Sequence, residues 1–420
     1  MNIVVIGGGV IGLTTAYWLM QDGRAVTVLE RCSELAAEGS FSNGGMLHAS
    51  HGEPWNSPQA IRQLLAWIGR EGSPLLLRPA HLPRMLRWGS AFLRNSTAAR
   101  HRAALLANTR LARYSLARMA DIRAATDIRY DAAQAGIAKI FWDVNEWQAA
   151  VRDAEQLQAH GLSFVPWSRA ELLAREPLLD AVGEHLAGAV FYPDDETGDT
   201  CLFTRQLGAY CQQQGVAIRT DAPVRALELT AGRQLTVVMD NERLQPDLVV
   251  LATGAEAARL VRPLGLRLPV EPVKGYSLTL DVGAMEQRLR LPLIDDHHKI
   301  VATPLGERLR VAGTAEFTGF DSRINAARIQ LLRKQLTTLL PQYAQAFAQA
   351  ATTEWACLRP MTPDGVPIIG PSPISNLWFN VGAGHMGWTL AAGAGRLLAD
   401  MIAARPLGTD AAAFALDRFR

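Results

Sequence analysis

The sequence contains few cysteines, and they are widely spaced. Cys32, Cys201, Cys211 and Cys357 form no CxxC pair and no Cys/His spacing of the kind that binds zinc. A disulfide framework is therefore not expected, and no metal site is predicted. A reducing compartment such as the cytoplasm fits this cysteine usage.

An excess of charge of one sign is also lacking. Charged residues make up 20% of the 420 residues and the formal net charge is +2, which argues against disorder and against a protein that coats nucleic acid. The apolar N-terminus is broken by four glycines and has neither the basic start nor the cleavage site of a signal peptide. No other apolar run approaches the ~18–20 residues needed to cross a bilayer. We expect a globular protein of two domains, cytoplasmic or peripheral on the inner face of the cytoplasmic membrane.

The N-terminus has the pattern of a dinucleotide-binding βαβ unit. An apolar strand over residues 3–6 runs into a GxGxxG segment, followed by a helix over 13–20 and a strand over 25–29 that ends at Glu30. The glycines allow a tight turn and close approach of a pyrophosphate, which then meets the helix N-terminus, and the acid can bind a ribose. The residues assigned to this end of a dinucleotide are Gly7, Gly9, Val10, Ile11, Gly12, Glu30 and Arg31.

A second glycine turn near the C-terminus favours FAD over NAD. It lies between a strand over 377–381 and a helix over 388–404, and no acid ends a following strand. A helix that starts there could direct its positive end at the carbonyl edge of an isoalloxazine ring and stabilise the anionic reduced flavin. The residues assigned to this contact are Gly384, His385, Met386, Gly387, Trp388 and Thr389.

Several motifs together resemble one family over nearly the whole chain. They are GGGVIG at the N-terminus, SNGG at 42–45, PDDETGD at 193–199, ATG at 252–254, PVKGYSLT at 272–279, LRPMTPDG at 358–365 and GHMGWT at 384–389. In these segments the chain is similar to the D-amino acid oxidase and glycine oxidase superfamily of FAD enzymes, and within it to the small subunits of bacterial D-amino acid dehydrogenases.

The resemblance implies an α/β fold with a Rossmann-type, glutathione-reductase-like FAD-binding domain and an inserted α+β substrate domain on a mixed or antiparallel sheet. Nucleotide-binding segments at both ends and in the middle of the chain also predict an insertion. We assign 1–50, 193–256 and 359–420 to the FAD-binding domain, and 51–192 and 257–358 to the substrate domain. Further FAD contacts implied by the resemblance are Ser42, Asn43, Gly44, Gly45, Met46, Val224, Thr253 and Gly254.

For the substrate, the resemblance implies that Arg359 pairs with a carboxylate. A guanidinium fork can hold a carboxylate by two hydrogen bonds and fix the Cα–H against a flavin. Tyr276 is expected either to line the pocket or to be a core tyrosine. His298 and Lys299, and His385 in the glycine turn, are further candidates, because the chain departs there from the dehydrogenase pattern.

The implied reaction is oxidative deamination of a D-amino acid to a 2-oxo acid and ammonia, with hydride passing from Cα to flavin N5 and electrons to a quinone or partner. The departures keep D-proline or D-hydroxyproline dehydrogenase open as an alternative. An oxygen-using oxidase resembling glycine oxidase and a non-catalytic FAD-binding subunit of a hetero-oligomer also stay open. FAD is expected to be non-covalent, with a covalent link at Cys357 as the alternative, because sarcosine oxidases of this superfamily attach flavin there.

Two charged segments remain. Residues 61–94 combine one acid, Glu71, with aromatic residues, leucines and six arginines, which predicts either an ordinary amphipathic helix pair or a peripheral contact with an anionic membrane or partner. The arginines are Arg62, Arg70, Arg78, Arg84, Arg87 and Arg94. The acids at 194–199 lack the spacing of a calcium loop and are interpreted as a solvated turn.

Overall fold

The computed structural model describes residues 1–419 except 59–60, 62–67, 231 and 233, and at 348 and 349 it describes the backbone only. The strands are β1 (Asn2–Ile6), β2 (Ala25–Leu29), β3 (Met46–Leu47), β4 (Leu75–Leu77), β5 (Ile137–Phe141), β6 (Val165–Ser168), β7 (Gly188–Tyr192), β8 (Glu196–Thr197), β9 (Ala217–Arg219), β10 (Ala226–Leu229), β11 (Leu235–Val238), β12 (Arg243–Leu244), β13 (Leu248–Leu251), β14 (Glu271–Asp281), β15 (Leu293–Asp295), β16 (Ile300–Leu305), β17 (Arg308–Phe317), β18 (Thr352–Met361), β19 (Ile368–Pro371) and β20 (Leu377–Val381).

The α-helices are α1 (Val10–Gln21), α2 (Leu82–Asn95), α3 (Ala98–Thr126), α4 (Val144–Gln158), α5 (Arg169–Arg175), α6 (Thr200–Gln213), α7 (Ala257–Val261), α8 (Ala326–Leu339), α9 (Tyr343–Gln349) and α10 (Gly387–Ile402). Short 3-10 helices lie at Pro79–His81, Pro177–His185, Gly254–Glu256, Arg262–Leu264, Gly384–Met386, Ala412–Phe414 and Leu416–Phe419. None of the helices in the described part of the chain has the length and apolar content to cross a bilayer.

A six-stranded sheet carries the predicted nucleotide-binding segments. Its order is β19-β20-β13-β1-β2-β9, and only β19 runs antiparallel to its neighbour. β1 lies between β2 and β13 and is buried from Ile3 to Ile6, as its unbroken apolar run predicted. Strand order reverses at β1, so the crevice for a ligand opens beyond its carboxyl end, at Gly7.

A nine-stranded mixed sheet forms the second layer of strands. β18, β14, β17, β16, β15, β5, β7 and β6 follow one another, and β4 adds to β17. Most pairs are antiparallel, while β15 with β5 and β4 with β17 are parallel. Helix α8 packs on β14 and β17 through Ile329, Leu332 and Leu336, which belong to the same buried cluster as Leu278 and Val311. This packing covers one face of the sheet and leaves the other for the site.

The predicted fold class is confirmed, since the chain combines a mostly parallel sheet with a mixed sheet formed by intervening segments. Strands of the six-stranded sheet come from residues 2–29, 217–251 and 368–381. The domain boundaries remain a proposal with one adjustment. β18 continues to Met361 in the nine-stranded sheet, three residues beyond the predicted boundary at 358.

The two ends of the chain meet in the core. Helix α10 packs against α1 and α3, and Thr14 Oγ1 and Trp18 Nε1 each donate a 2.9 Å hydrogen bond to carbonyls of α10. Gly395 makes this approach close, since a Cβ there would lie 2.9 Å from the carbonyl carbon of Thr14. The N-terminal and C-terminal glycine turns are therefore held on one body.

Candidate active site

The N-terminal glycine turn has the geometry of a phosphate cradle. Gly7 has a φ of +115°, and a Cβ at Gly12 would lie 1.8 Å from the carbonyl oxygen of Gly7. Helix α1 begins directly after Gly9, which offers no side-chain cap, and its first turn carries no acid. The N–H of Val10 donates to Ser40 Oγ at 2.9 Å, and the positive end of the helix dipole faces the cavity at Gly9 to Ile11.

Glu30 is fixed at the end of β2. Its carboxylate accepts hydrogen bonds from the N–H of Gly8 at 2.7 Å and of Cys32 at 2.8 Å, and it is 8% exposed. It lines the cavity, as a ribose-binding acid should, and it also holds the glycine turn. Arg31 lines the same end and pairs with Glu38 on the surface.

The segment from Ser42 to Met46 passes between the two sheets. Ser277 Oγ donates to the carbonyl of Ser42 and Thr303 Oγ1 to that of Gly44, both at 2.6 Å. Ser42, Asn43, Gly44 and Met46 line the cavity, while Gly45 turns the chain with a φ of +70° and is not a lining residue. Val224, Thr253 and Gly254 line it from the six-stranded sheet.

The C-terminal glycine turn forms another part of the wall. Gly384, His385, Gly387 and Trp388 line the cavity, and α10 begins at Gly387 without a side-chain cap. Met386 and Thr389 lie beneath this surface. Thr389 Oγ1 accepts a 3.2 Å hydrogen bond from the N–H of His48, so it supports the wall from within.

One continuous cavity of about 1770 Å³ joins these elements. It extends from the N-terminal glycines to Arg359 on β18, which is the predicted carboxylate-binding residue. Its volume exceeds the ~300–1,000 Å³ of common single-ligand pockets, so it has room for a dinucleotide together with a small substrate.

Arg359 is the residue with the clearest chemical role. One of its terminal nitrogens donates a 3.1 Å hydrogen bond to the carbonyl of Thr314, and its Cζ lies 5.7 Å from the centre of the Trp55 ring. Burial lowers the pKa of this guanidinium, although arginine stays charged in proteins. Among the described residues no carboxylate pairs with it, and none of the residues left undescribed is acidic. A cavity-lining cation without a counterion suits an anionic ligand.

Tyr276 belongs to the core rather than to the catalytic group. Its hydroxyl donates to Glu316, which also pairs with Arg78 and Lys274, and its ring lies in the cluster under α8. The residue touches the cavity, but its polar end is engaged elsewhere. Of the two predicted roles, the structure therefore favours the core tyrosine.

His298 and Lys299 separate in the turn between β15 and β16. The His298 ring bonds Asp295 Oδ2 at 2.7 Å and packs edge-on to Trp142, and His298 is not among the lining residues. The prediction that it faces the substrate is therefore wrong. Lys299 does line the cavity and holds a left-handed φ of +58°, a strained conformation for a residue with a side chain.

Of the acids at 194–199 only Asp194 is exposed, so the interpretation as a solvated turn fails for the other three. Asp195 and Asp199 are 0% and 1% exposed. Asp195 accepts a 2.9 Å hydrogen bond from the N–H of Ala49 and another from the Ser50 hydroxyl, and Asp199 caps α6. Burial raises the pKa of Asp195 to about 7. The interpretation fails because buried backbone donors, rather than water, satisfy these carboxylates.

Sequence reasoning missed the wall formed by residues 48–55. His48, His51, Glu53 and Trp55 all line the cavity, and Trp55 stacks on His385 with ring centres 5.6 Å apart. The segment is an irregular loop without periodicity, so only its density of histidine and tryptophan could have drawn attention to it. Asp296 also lines the cavity and was missed.

Among the described residues, no group of three or more His, Cys, Asp or Glu side chains is placed to bind a metal ion. The four cysteines are free thiols. Cys357 lines the cavity two residues before Arg359, and burial raises the pKa of its thiol. A thiol that stays protonated is a poor nucleophile.

The profile of a protein family described as FAD dependent oxidoreductase matches residues 2–401. The chain belongs to this family. Among its relatives, D-amino acid dehydrogenase from Paramagnetospirillum magneticum is 40% identical over 100% of this chain and 99% of its own length. D-amino acid dehydrogenase from Rhizobium johnstonii is 36% identical over the full length of both chains.

Solved structures of the family share the fold. Glycine oxidase from Geobacillus kaustophilus superposes with a TM-score of 0.76 at 23% identity and covers 99% of this chain and 97% of its own. L-proline dehydrogenase from P. horikoshii gives a TM-score of 0.75 at 18% identity and covers 96% of this chain and 92% of its own.

FAD, the cofactor of this family, fits the residues of the cavity. Two helix N-termini face it, and the glycine cradle has no room for a Cβ at Gly12. Among the described residues, Thr253 Oγ1 at the cavity wall is a buried polar atom without a partner. Such atoms are costly unless a ligand satisfies them.

Proposed function

We propose that this oxidoreductase converts D-amino acids to 2-oxo acids and ammonia, with FAD held by the residues assigned above. Two observations support this proposal. Relatives that are 36–40% identical over the full chain are named D-amino acid dehydrogenase. Arg359 lines the cavity and has no counterion among the described residues. The uncompensated cation carries the proposal, because it specifies a carboxylate ligand in the same cavity as the dinucleotide cradle.

In this proposal the protein contributes position and a dry environment. Arg359 holds the substrate carboxylate by two charge-assisted hydrogen bonds, each worth about 1.5–3 kcal/mol. Its own hydrogen bond to the Thr314 carbonyl fixes the guanidinium plane. FAD, when bound, supplies the hydride acceptor for the Cα–H. Orientation of the substrate and exclusion of water account for most of the rest of the rate enhancement.

His385 is proposed to receive the substrate amine. Burial, followed by the nearby His51, His48 and Arg359, holds the pKa of His385 well below its ordinary value, so the imidazole is neutral. A neutral ring with one unpartnered nitrogen can accept a hydrogen bond from the substrate amine. Removal of the amine from water in the cavity favours its uncharged form. Only the uncharged amine has the lone pair that drives imine formation.

Anaerobic mixing of the FAD-loaded protein with D- and L-amino acids, proline, hydroxyproline, glycine and sarcosine tests the proposal. We expect bleaching of the flavin absorbance by D-amino acids and far slower or no bleaching by their L-enantiomers. Bleaching by glycine and sarcosine alone would instead favour an oxidase resembling glycine oxidase. No bleaching by any of these compounds would contradict the proposal and favour a non-catalytic FAD-binding subunit.

We further propose that the electrons leave to a quinone or a partner protein rather than to oxygen, as the names of the relatives suggest. An oxygen electrode, with and without an artificial dye, tests this. We expect oxygen consumption to be slow and turnover to rise at least tenfold when the dye is added, whereas equal rates would contradict it.

A surface on α2 supports a peripheral membrane contact. Leu86 and Leu93 are 71% and 55% exposed, one heptad apart, and Arg84, Arg87 and Arg94 are exposed beside them. The adjoining face of α2 buries Met85 and Phe92. Arg78 does not belong to this surface because it pairs with Glu316 and Glu71, and the predicted Arg62 lies outside the described residues. Exposed leucines among arginines suit an anionic bilayer, where each arginine contributes ~1 kcal/mol.

Flotation with vesicles containing anionic lipid tests this contact. Reversing the charge of the three arginines of α2 to glutamate should abolish binding. The matched control replaces three exposed arginines elsewhere by glutamate, at Arg110, Arg169 and Arg288, and should retain most of the vesicle binding. Equal binding by the two triple variants would contradict a specific contact through α2.

A further inference from the structure

One wall of the cavity carries a row of histidines that the proposed reaction does not fully use. The ring centres of His48 and His51 are 5.4 Å apart, and those of His51 and His385 are 6.1 Å apart. Trp55 stacks on His385, and the Arg359 guanidinium lies 5.7 Å from the Trp55 ring. The row therefore begins beside the proposed carboxylate and amine contacts and leads away from them.

Two histidines of this row, His48 and His385, have buried polar atoms without a partner among the described residues. His48 is 8% exposed, and its Nδ1 has no hydrogen-bond partner among the described residues. Burial lowers the pKa of His48 to about 3 and also lowers that of His51, so both rings are neutral near pH 7. A buried neutral imidazole nitrogen without a hydrogen-bond partner costs the protein about 1–3 kcal/mol of stability, unless a ligand or water bonds to it.

A carboxylate, Glu53, lies near His51 in the row, since each shifts the pKa of the other. Glu53 lines the cavity and forms no direct ion pair within the described part of the chain. Lys139, which pairs with Asp296 at 2.6 Å, lowers the pKa of Glu53 and keeps it ionised. The carboxylates Glu53 and Asp296 are therefore matched by the ammonium groups of Lys139 and Lys299.

A third carboxylate, Asp153, lines the same part of the cavity. Desolvation and the nearby Glu53 raise its pKa, against smaller opposing effects of Lys139, Arg152 and Arg102. Beside these charged groups, the neutral rings of His48 and His51 offer hydrogen-bonding nitrogens that carry no charge. Such an arrangement suits an uncharged polar group better than a cation or an anion.

The loop that presents these groups is anchored on both sides. The N–H of His48 donates to Thr389 Oγ1, and Asp195 accepts the N–H of Ala49. Asn108 Nδ2 donates to the carbonyl of Gly52 at 3.1 Å. Because three separate elements fix the backbone of residues 48–52, the side chains are presented in a defined geometry before any ligand arrives.

We propose that His48, His51 and Glu53 form a subsite for an uncharged hydrogen-bonding group, a hydroxyl or a carboxamide, on the side chain of the substrate. The inference rests on the proposed function, because it places this group on a molecule whose carboxylate is bound by Arg359. A site that contains a buried, unpartnered atom such as His48 Nδ1 discriminates against an analogue that lacks the matching group, since that atom is then left unpaired.

Binding of unreactive acids tests the subsite without turnover. Titration of the FAD-loaded protein with 3-hydroxybutanoate and with its isosteric methyl analogue 3-methylbutanoate, followed by the shift of the flavin spectrum, gives two dissociation constants. We expect the hydroxy acid to bind at least tenfold more tightly. Equal constants would overturn the subsite.

Matched substrates identify the chemical class. The pairs are D-threonine with D-valine, 4-hydroxy-D-proline with D-proline, and D-glutamine with D-norleucine. In at least one pair, we expect the polar substrate to have a kcat/KM more than tenfold higher than its apolar partner. The pair that shows this difference tells whether the subsite binds a hydroxyl or a carboxamide. If kcat/KM is instead more than tenfold higher for D-lysine or D-glutamate than for D-glutamine and D-threonine, the subsite binds a charged group and the proposal of an uncharged group is wrong.

Two variants locate the preference. In His51→Phe and Glu53→Gln, the ratio of kcat/KM within the preferred pair should fall toward one. His297→Phe is the control, because His297 is exposed, lies next to Asp296 and does not line the cavity. If both test variants keep the wild-type ratio, the subsite is overturned. If the acids bind as expected but no D-amino acid bleaches the flavin, the proposed function fails and the subsite stands.

Discussion

Gly275 faces the guanidinium of Arg359 across neighbouring strands, so closely that a Cβ at position 275 would lie 2.3 Å from the Cζ of Arg359. β14 therefore leaves a gap for the arginine where β18 passes it, with Gly275 opposite Cys357 in the register. The absence of a side chain at 275 is as much a part of the carboxylate site as the arginine itself.

Gly275→Ala should displace the guanidinium while leaving its charge in the cavity. A misplacement of about 1 Å can cost roughly 100-fold in rate, so we expect kcat/KM for D-amino acids to fall about 10–100-fold, mostly through KM. Steady-state kinetics measure this. Gly72→Ala is the matched control, because a Cβ there meets nothing within 4 Å. Equal kinetics of the two variants would contradict the packing argument.

Arg359→Lys should be nearly as damaging as Arg359→Ala, since an ammonium cannot reproduce two parallel hydrogen bonds to a carboxylate. Removing one partner of a buried ion pair costs about 3–5 kcal/mol, or roughly 150–5,000-fold in kcat/KM. Bound flavin per protein should stay at the wild-type value. Arg288→Lys, at an exposed position, serves as the control. An Arg359→Lys enzyme with wild-type KM would remove Arg359 from the site.

Gly12→Ala should prevent FAD binding, because the new Cβ would overlap the Gly7 carbonyl oxygen at 1.8 Å. We expect purified variant protein to be colourless and its melting temperature to stay constant on addition of FAD, whereas that of wild-type apoprotein rises. Gly232→Ala, in an open turn, should behave as wild type. A yellow Gly12→Ala protein would place the dinucleotide elsewhere.

The stability of the protein should fall as pH rises toward neutrality, in part because of Asp195. Its folded pKa of about 7 exceeds the unfolded value near 4, so between these values the folded state binds more protons than the unfolded state. This group alone contributes a slope of at most about 1.4 kcal/mol per pH unit, which ends above pH 7. The melting temperature, measured at several values from pH 5 to 8, should change less with pH in Asp195→Asn than in the wild type. An equal dependence on pH in the two proteins would contradict the raised pKa.

FAD should be released by acid. Because burial raises the pKa of the Cys357 thiol, the thiolate needed for a covalent link is scarce. After precipitation with acid, we expect all yellow colour in the supernatant for both the wild type and Cys357→Ser. Colour retained in the wild-type pellet and lost from that of the variant would demonstrate covalent attachment.

The sequence predicted the parts of the site that depend on local chain geometry. The strand, glycine turn and helix from Ile3 to Met20 form within one short segment, so their pattern was sufficient. The position of Tyr276 could not be read in this way, because it depends on which face of β14 meets α8, and the register shifts between Gly275 and Tyr276. His298 was misplaced because Asp295 accepts hydrogen bonds from its N–H and its ring and folds it back over the turn.

The contact between α1 and α10 has a consequence for how the protein is made. β1 cannot complete its sheet, nor α1 its packing, until residues beyond 377 have left the ribosome. The phosphate cradle is synthesised well before the helix α10 that supports it. Loading of the cofactor must therefore follow synthesis of nearly the whole chain, and nascent chains halted before α10 should emerge without flavin.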